Sequence, residues 1–426
     1  MNNYQYHIFS PYRVCPLGAH VDHQHGLVTG FAIDKGVDLW FNVNETTETR
    51  NHGATEVSNT NLTDDTNNWP ESHVHLESLT FDGVVDFDIA TPALVKQGDW
   101  GDYARGAKFA LQKRFKLKKG VTGVIKGSIP VGGLSSSAAV LIAYVMAFGK
   151  ANNITLEPFE VMKIASEAER EYIGLNNGLL DQACIALGKK DHLLMLDCES
   201  NEYRLIPFGT TNGTNNTNNK EGGLPFEFGI FFSGLTRSLM SSDYNLRVAE
   251  CKTAAWLVQA YENIPLKEQN KTFLRDVSEN MYKIHRDKMP PRFARRAEHF
   301  FSEHKRVREG ITAWETGNLE WFGSLSKASC ESSIHNYECG SPELIAIYQA
   351  MLTTDGVYGG RFSGAGFKGA CIALVDPNKK AEIEKTITEK YLAQFPQYKN
   401  SFKVYFCKSD DGARFINEHE SHKLNE

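Results

Sequence analysis

Gly132-Gly133-Leu134-Ser135-Ser136-Ser137-Ala138-Ala139 is the run on which the reading of this chain turns. Two glycines free the backbone to curl close to a ligand. Three hydroxyls follow at the head of an apolar run, 138–148, that reads as a buried helix. A glycine turn feeding a helix N-terminus presents unpaired N–H groups and positive dipole potential, an arrangement suited to phosphate. The serines can add hydrogen bonds or a ligand for Mg²⁺. The competing reading is a Ser-rich cap on an ordinary core helix. No P-loop lysine follows the glycines, so a nucleotide site here is of another type.

The 426 residues suffice for two domains with substantial cores. Hydrophobic residues at 41% and charged ones at 23% fit a globular protein. A net charge of -6 predicts no nucleic-acid partner. There is no apolar stretch of about 18 residues and no secretory leader pattern at the N-terminus, so neither a membrane span nor export is expected. Eight scattered cysteines without CxxC spacing predict reduced thiols and a cytoplasmic location, not a disulfide frame. Oligomeric state is not legible.

Strand-like segments (37–43, 121–129, 226–232, 371–375) mix with helical ones (159–173, 243–262, 294–315, 319–332), which predicts an α+β protein. Polar, Asn-rich loops are expected at 46–72 and 209–223. The second is the linker candidate, dividing an N-terminal domain of residues 1–208 from a C-terminal one of residues 224–426.

Three more segments carry polar chemistry. Within Ser10-Pro11-Tyr12-Arg13-Val14-Cys15-Pro16-Leu17-Gly18-Ala19-His20-Val21-Asp22-His23, Arg13, His20, Asp22 and His23 crowd into turn-like sequence. The intervals match no standard zinc pattern, so a polar small-molecule site is expected there. Asp181, in Gly178-Leu179-Leu180-Asp181-Gln182, precedes an apolar helical run, where it can be a helix cap or a carboxylate placed for proton transfer. Ser363-Gly364-Ala365-Gly366-Phe367-Lys368-Gly369 reads as a glycine loop or a hairpin connection.

The order of an Arg-containing N-terminal loop, a GLSSSAA loop and a Gly-Ala-Gly loop resembles the GHMP kinases, and within them the galactokinase branch. Residues 10–23 match the branch signature at Pro11, Arg13, Val14, Gly18, His20 and Asp22. Trp100-Gly101-Asp102-Tyr103, Ala168-Glu169-Arg170-Glu171, Ser241-Ser242-Asp243-Tyr244 and Tyr337-Glu338-Cys339-Gly340-Ser341-Pro342-Glu343 resemble further branch motifs. The resemblance runs over about residues 8 to 376. It implies a two-domain fold with the active site in the interdomain cleft, ATP and Mg²⁺, and a small sugar substrate. Carried over residue by residue, it implies that Gly132, Gly133, Leu134, Ser135, Ser136 and Ser137 cradle the phosphates. Ser137 and Glu169 are then the metal ligands, and Trp100 and Tyr103 lie on the adenine side. Asp181 is the acid–base residue with Arg13 as its partner, and His20, Asp22, Gly178 and Tyr244 hold the sugar.

Departures from the branch bear on the substrate. Ala19 stands where galactokinases carry a Glu that meets the C6 hydroxyl. A C6 carboxylate would repel that Glu by about 4 kcal/mol at about 4 Å and an effective dielectric of about 20. Ala19 removes the repulsion, and Arg237, seven residues before Tyr244, is a candidate carboxylate partner. The runs Cys15-Pro16-Leu17-Gly18-Ala19-His20 and Tyr244-Asn245-Leu246-Arg247-Val248 are similar to the galacturonokinases of this branch. The expected reaction is therefore phosphorylation of D-galacturonate at the anomeric hydroxyl, with D-galactose as the alternative substrate. A non-catalytic sugar and ATP sensor is the third reading, opposed by the intact 135–139 run together with Arg13, Glu169 and Asp181. Two features depart from the family without removing a proposed catalytic group. Residues 130–133 are one residue short of the usual loop, and Lys368 replaces a Gly.

Overall fold

The computed structural model describes residues 4–45, 69–92, 95–129, 132–175, 177–210, 224–235 and 243–417. Arg237 lies outside them, as do 46–68 of the first expected loop and 211–223 of the expected linker. The described strands are β1 (Tyr6–Val14), β2 (Leu27–Val43), β3 (His73–Ser78), β4 (Val84–Asp88), β5 (Val121–Gly127), β6 (His192–Asp197), β7 (Tyr203–Pro207), β8 (Glu227–Phe232), β9 (Val357–Phe362), β10 (Ala370–Val375), β11 (Lys403–Cys407), β12 (Ser409–Asp410) and β13 (Arg414–Phe415). The α-helices are α1 (Asp102–Gln112), α2 (Ser136–Ala151), α3 (Pro158–Glu167), α4 (Leu180–Leu187), α5 (Asp243–Tyr261), α6 (Glu279–His285), α7 (Pro291–Glu315), α8 (Leu319–Ser332), α9 (Pro342–Leu352) and α10 (Lys380–Gln394).

The mixture is α+β, as expected. One sheet of nine strands runs β13-β1-β2-β5-β3-β4, with β12 and the β6–β7 pair joined to β2; the other, all antiparallel, runs β11-β8-β10-β9. The sheets do not divide at 209–223, because β12 and β13 return the C-terminal segment to the first sheet beside β2 and β1.

Helix α2 is apolar around most of its circumference and packs against β1 and β2 on one side and α1, α3 and α4 on others. All-round burial of this kind makes it the core of the first layer. Helices α8 and α9 start where the sequence supplies caps: Asn318 accepts from Trp321 N–H, and Ser341 accepts from Leu344 N–H. All eight cysteines are free and buried.

One expectation fails here. Residues 10–14, read as part of a turn-like loop, lie inside β1. Pro11 disguised the strand, since proline has no N–H for the ladder. The sheet accommodates it at a register irregularity between Pro11 and Tyr12, where a missing donor costs little. Arg13 is thus mounted on the first sheet, one residue before β1 ends.

Candidate active site

A cleft of about 490 Å³ collects Arg13, Ala19, His20, Asp22, Glu169, Asp181 and Tyr244 with 132–137 and the third glycine loop. Residues separated by up to 350 positions meet here: Arg13 Nη1 donates to Ser363 Oγ at 3.3 Å. The third glycine loop is the connection between β9 and β10, so the hairpin reading holds, and the same connection also lines the cleft.

Arg13 is the hub. Its Nε–H donates to Asp181 Oδ1 at 2.7 Å, and its Nη1 donates to the Gly133 carbonyl at 3.1 Å. Burial opposes the guanidinium charge, but the Asp181 carboxylate and its hydrogen bond more than offset this and raise the Arg13 pKa. Asp181 is not a helix cap. It stands one residue inside α4, whose N-cap is Leu179, and its carboxylate turns to Arg13 while 22% of the side chain stays exposed.

The glycine–serine loop forms the opposite wall. Gly133 has φ +80°, and a Cβ there would lie 3.0 Å from the Ser363 carbonyl oxygen, so a side chain would wedge this loop away from the third one. Ser135 occupies the N-cap of α2 with φ 59°, and its hydroxyl makes no capping hydrogen bond. The first amides of α2 therefore lack the serine partner that the capping reading required, and they stand at the cleft with the helix dipole behind them.

Glu169 is fully buried at the start of α3's continuation, Ala168–Ile173. Its carboxylate accepts from Ser137 Oγ at 2.8 Å, from Asn177 Nδ2 at 2.7 Å and from Gln182 Nε2. Burial and the nearby Asp181 charge raise its pKa against these hydrogen bonds. Asn177 Oδ1 and Gln182 Oε1 are buried without hydrogen-bond partners. Two oxygen ligands with two orphaned oxygens alongside suit a hard divalent cation.

On the sugar side, burial and the Asp181 charge raise the Asp22 pKa to about 6. Gly178 is pressed against it: a Cβ on Gly178 would sit 2.5 Å from the backbone carbonyl carbon of Asp22. His20 lies flat on Tyr337, with ring centroids 4.3 Å apart, and its Nε2–H donates to the Gly364 carbonyl at 3.1 Å. Burial, then the charges of Arg361 and His299, hold its pKa well below the ordinary value, so the imidazole is neutral. Tyr244, at the start of α5, meets the edge of His23 with centroids 6.0 Å apart.

Trp100 does not line the sugar pocket with these groups. Trp100 lines a neighbouring cavity of about 500 Å³ together with Tyr12, Phe81, Val140 and Tyr144. Tyr103, Ser136 and Ser137 line both spaces, so the serine loop stands where the two meet.

Sequence reading missed the support beneath the sugar loop. Glu303 of α7 accepts from Gly18 N–H at 2.8 Å across 285 positions, from Arg306 Nε at 2.7 Å and from Ser329 Oγ, with Arg361 3.8 Å away. Burial pushes its pKa up, but Arg306, His299 and Arg361 bring it down to about 2. His299 Nε2 donates to the Ala19 carbonyl at 3.0 Å. No linear motif marks these contacts, which exist only because α7 crosses under the loop.

Comparison with known proteins agrees with the geometry. Residues 102–189 match the GHMP kinases N terminal domain and residues 308–393 the GHMP kinases C terminal family. The chain is 38% identical to the galacturonokinase of Arabidopsis thaliana, over 96% of this chain and 93% of that one. It is 30% identical to a galactokinase of Clostridium perfringens, over 90% and 89% respectively. The Lactococcus lactis galactokinase solved with galactose superposes with a TM-score of 0.80 at 25% identity, covering 96% of this chain and 95% of that one. The mevalonate kinase of Methanococcus jannaschii, at 18% identity and a TM-score of 0.61, shares the fold.

Proposed function

The chain belongs to the GHMP kinase family and is a sugar kinase of its galactokinase branch, and on that premise we propose that it transfers the γ-phosphoryl group of ATP to the anomeric hydroxyl of D-galacturonate. The observation that carries the choice of sugar is Ala19. It lines the cleft, 6% exposed, and its carbonyl is tied down by His299, so the loop cannot easily turn another group into its place. The cleft wall holds no carboxylate at that position; elsewhere in the lining Asp22, Glu169 and Asp181 stand with Arg13, Arg361 and Lys368. At position 19 the wall therefore presents no charge that would repel an anionic sugar. Identity with the Arabidopsis galacturonokinase supports the same choice. Arg237 is the remaining candidate to face the C6 carboxylate.

In this reading adenine lies against Trp100 and Tyr103, and the polyphosphate runs over 132–137 toward the first amides of α2. Asp22 and Tyr244 hold sugar hydroxyls, with Gly178 leaving room for Asp22 and His20 setting the cleft wall. Asp181 accepts the proton of the C1 hydroxyl as its oxygen bonds to the γ-phosphorus and ADP departs. Arg13 fixes Asp181 and offsets charge on the transferred group. Ser137 and Glu169 would hold Mg²⁺, which when bound neutralises phosphate charge. Lys368 adds a cation beside the loop.

ADP release with Mg-ATP and equal concentrations of D-galacturonate, D-galactose and D-glucuronate tests the proposal. Strong preference for galacturonate is expected. Preference for galactose would transfer the site to the galactokinase reading. No ADP with any of the three would favour a sensor.

A further inference from the structure

The β3–β4 hairpin presents an arrangement that sugar phosphorylation does not use. Alternation is strict on both strands: Val74, Leu76, Val85 and Phe87 are buried, and the residues between them point outward. The register pairs His73 with Asp88, His75 with Asp86 and Glu77 with Val84. The outward face therefore gathers two imidazoles and three carboxylates. Here His73 Nε2 and His75 Nδ1 converge on one oxygen, Asp86 Oδ1, at 2.9 and 2.8 Å. The three donor atoms all lie within 4.8 Å of one another. Trp69 stacks on both rings, with centroids 4.2 Å from His73 and 5.0 Å from His75, which fixes their orientation.

We propose that His73, His75 and Asp86 form a binding site for a divalent transition-metal ion of the zinc type. Imidazole and carboxylate donors suit Zn²⁺, Ni²⁺ and Cu²⁺ and discriminate against Mg²⁺. Bonds of about 2.1 Å in tetrahedral geometry need donors about 3.4 Å apart. The nitrogen-to-oxygen spacings thus open by roughly half an ångström, within side-chain torsion alone. Asp86 Oδ1 gives up its two imidazole contacts for the ion, and water completes the coordination. Glu77 Oε1, 3.6 Å from His75 Nε2, is placed to hold the outer nitrogen of that ring as a supporting carboxylate. The ion would join β3 to β4 on the face opposite the core, in the part of the hairpin away from the turn that carries Phe81 and Asp82 into the Trp100 cavity. All eight cysteines are buried, so thiolates do not compete on the surface.

Calorimetric titration of the full-length protein with Zn²⁺ should give one equivalent bound. Ni²⁺ should quench Trp69 emission through the stacked imidazoles, and Trp69→Phe should remove that quench. His73→Gln/His75→Gln and Asp86→Asn, all outward-facing, should leave sugar-kinase turnover with Mg-ATP unchanged while weakening Zn²⁺ by about tenfold or more. Absence of Zn²⁺ binding to the wild-type protein would overturn the proposal, as would equal affinity in the His73→Gln/His75→Gln variant.

Discussion

Replacing Arg13 by methionine keeps the length of the stem and removes the guanidinium, and the structure sets what is lost. Asp181 loses a 2.7 Å charge-assisted hydrogen bond, and the Gly133 carbonyl and Ser363 hydroxyl lose donors at 3.1 and 3.3 Å. Removing one preorganised donor from charge that develops in the transition state costs about 2.7–4 kcal/mol. Asp181 keeps 22% exposure, so water recovers part of this and the lower end applies. About 3 kcal/mol in the transition state is a little over two decades in rate. Because Asp181 and the transferred phosphoryl group feel the loss more than the sugar's ring hydroxyls do, it should appear in kcat, with sugar KM changed by less than about fivefold. Arg13→Lys restores charge without the two-nitrogen fork, so it should recover only part of the rate. The assay is coupled ADP release at saturating Mg-ATP, with circular dichroism as the folding control. A folded Arg13→Met enzyme with kcat within about threefold of wild type would refute the assignment of Arg13 to the reacting centre.

Three other perturbations separate substrate choice, protonation and space. Ala19→Glu should lower kcat/KM for galacturonate by about three decades, from the like-charge repulsion of about 4 kcal/mol, and spare galactose; an unchanged galacturonate rate would mean that position 19 does not meet C6. With the Asp22 pKa at about 6, kcat/KM for sugar should fall as pH drops through 6, and an unchanged profile from pH 5 to 8 would exclude Asp22 from hydroxyl binding. The sign reverses for stability. A folded pKa raised from 3.8 to about 6 favours folding fully below pH 3.8, and this is lost as pH rises through 6. Asp22→Asn should therefore melt higher than wild type at pH 7.5 and equally at pH 4, by calorimetry. Gly178→Ala would place a methyl 2.5 Å from Asp22 Cβ, so sugar KM should rise by about tenfold or more while ATP KM holds within about twofold. Equal sugar KM values would show that Asp22 can retreat at no cost.

The family and most of the cleft residues were legible in local sequence. Glycine loops, a Ser run at a helix start and a carboxylate before an apolar helix are local chemistry, so 132–137, Asp181 and Glu169 could be picked out from spacing and resemblance, and α8 from its helical pattern over 319–332. Folding decided what spacing does not encode. Pro11 hid β1, and with it the fact that Arg13 is carried on the first sheet. Whether Asp181 caps its helix or faces Arg13 depended on two segments 168 positions apart. The separation of Trp100 from the sugar wall, the buried Glu303 that holds Gly18, and the return of β12 and β13 to the first sheet depend likewise on distant partners. A hydrogen bond acts over about 3 Å of space whatever the separation in sequence, so local pattern names the groups and the tertiary fold decides which of them meet.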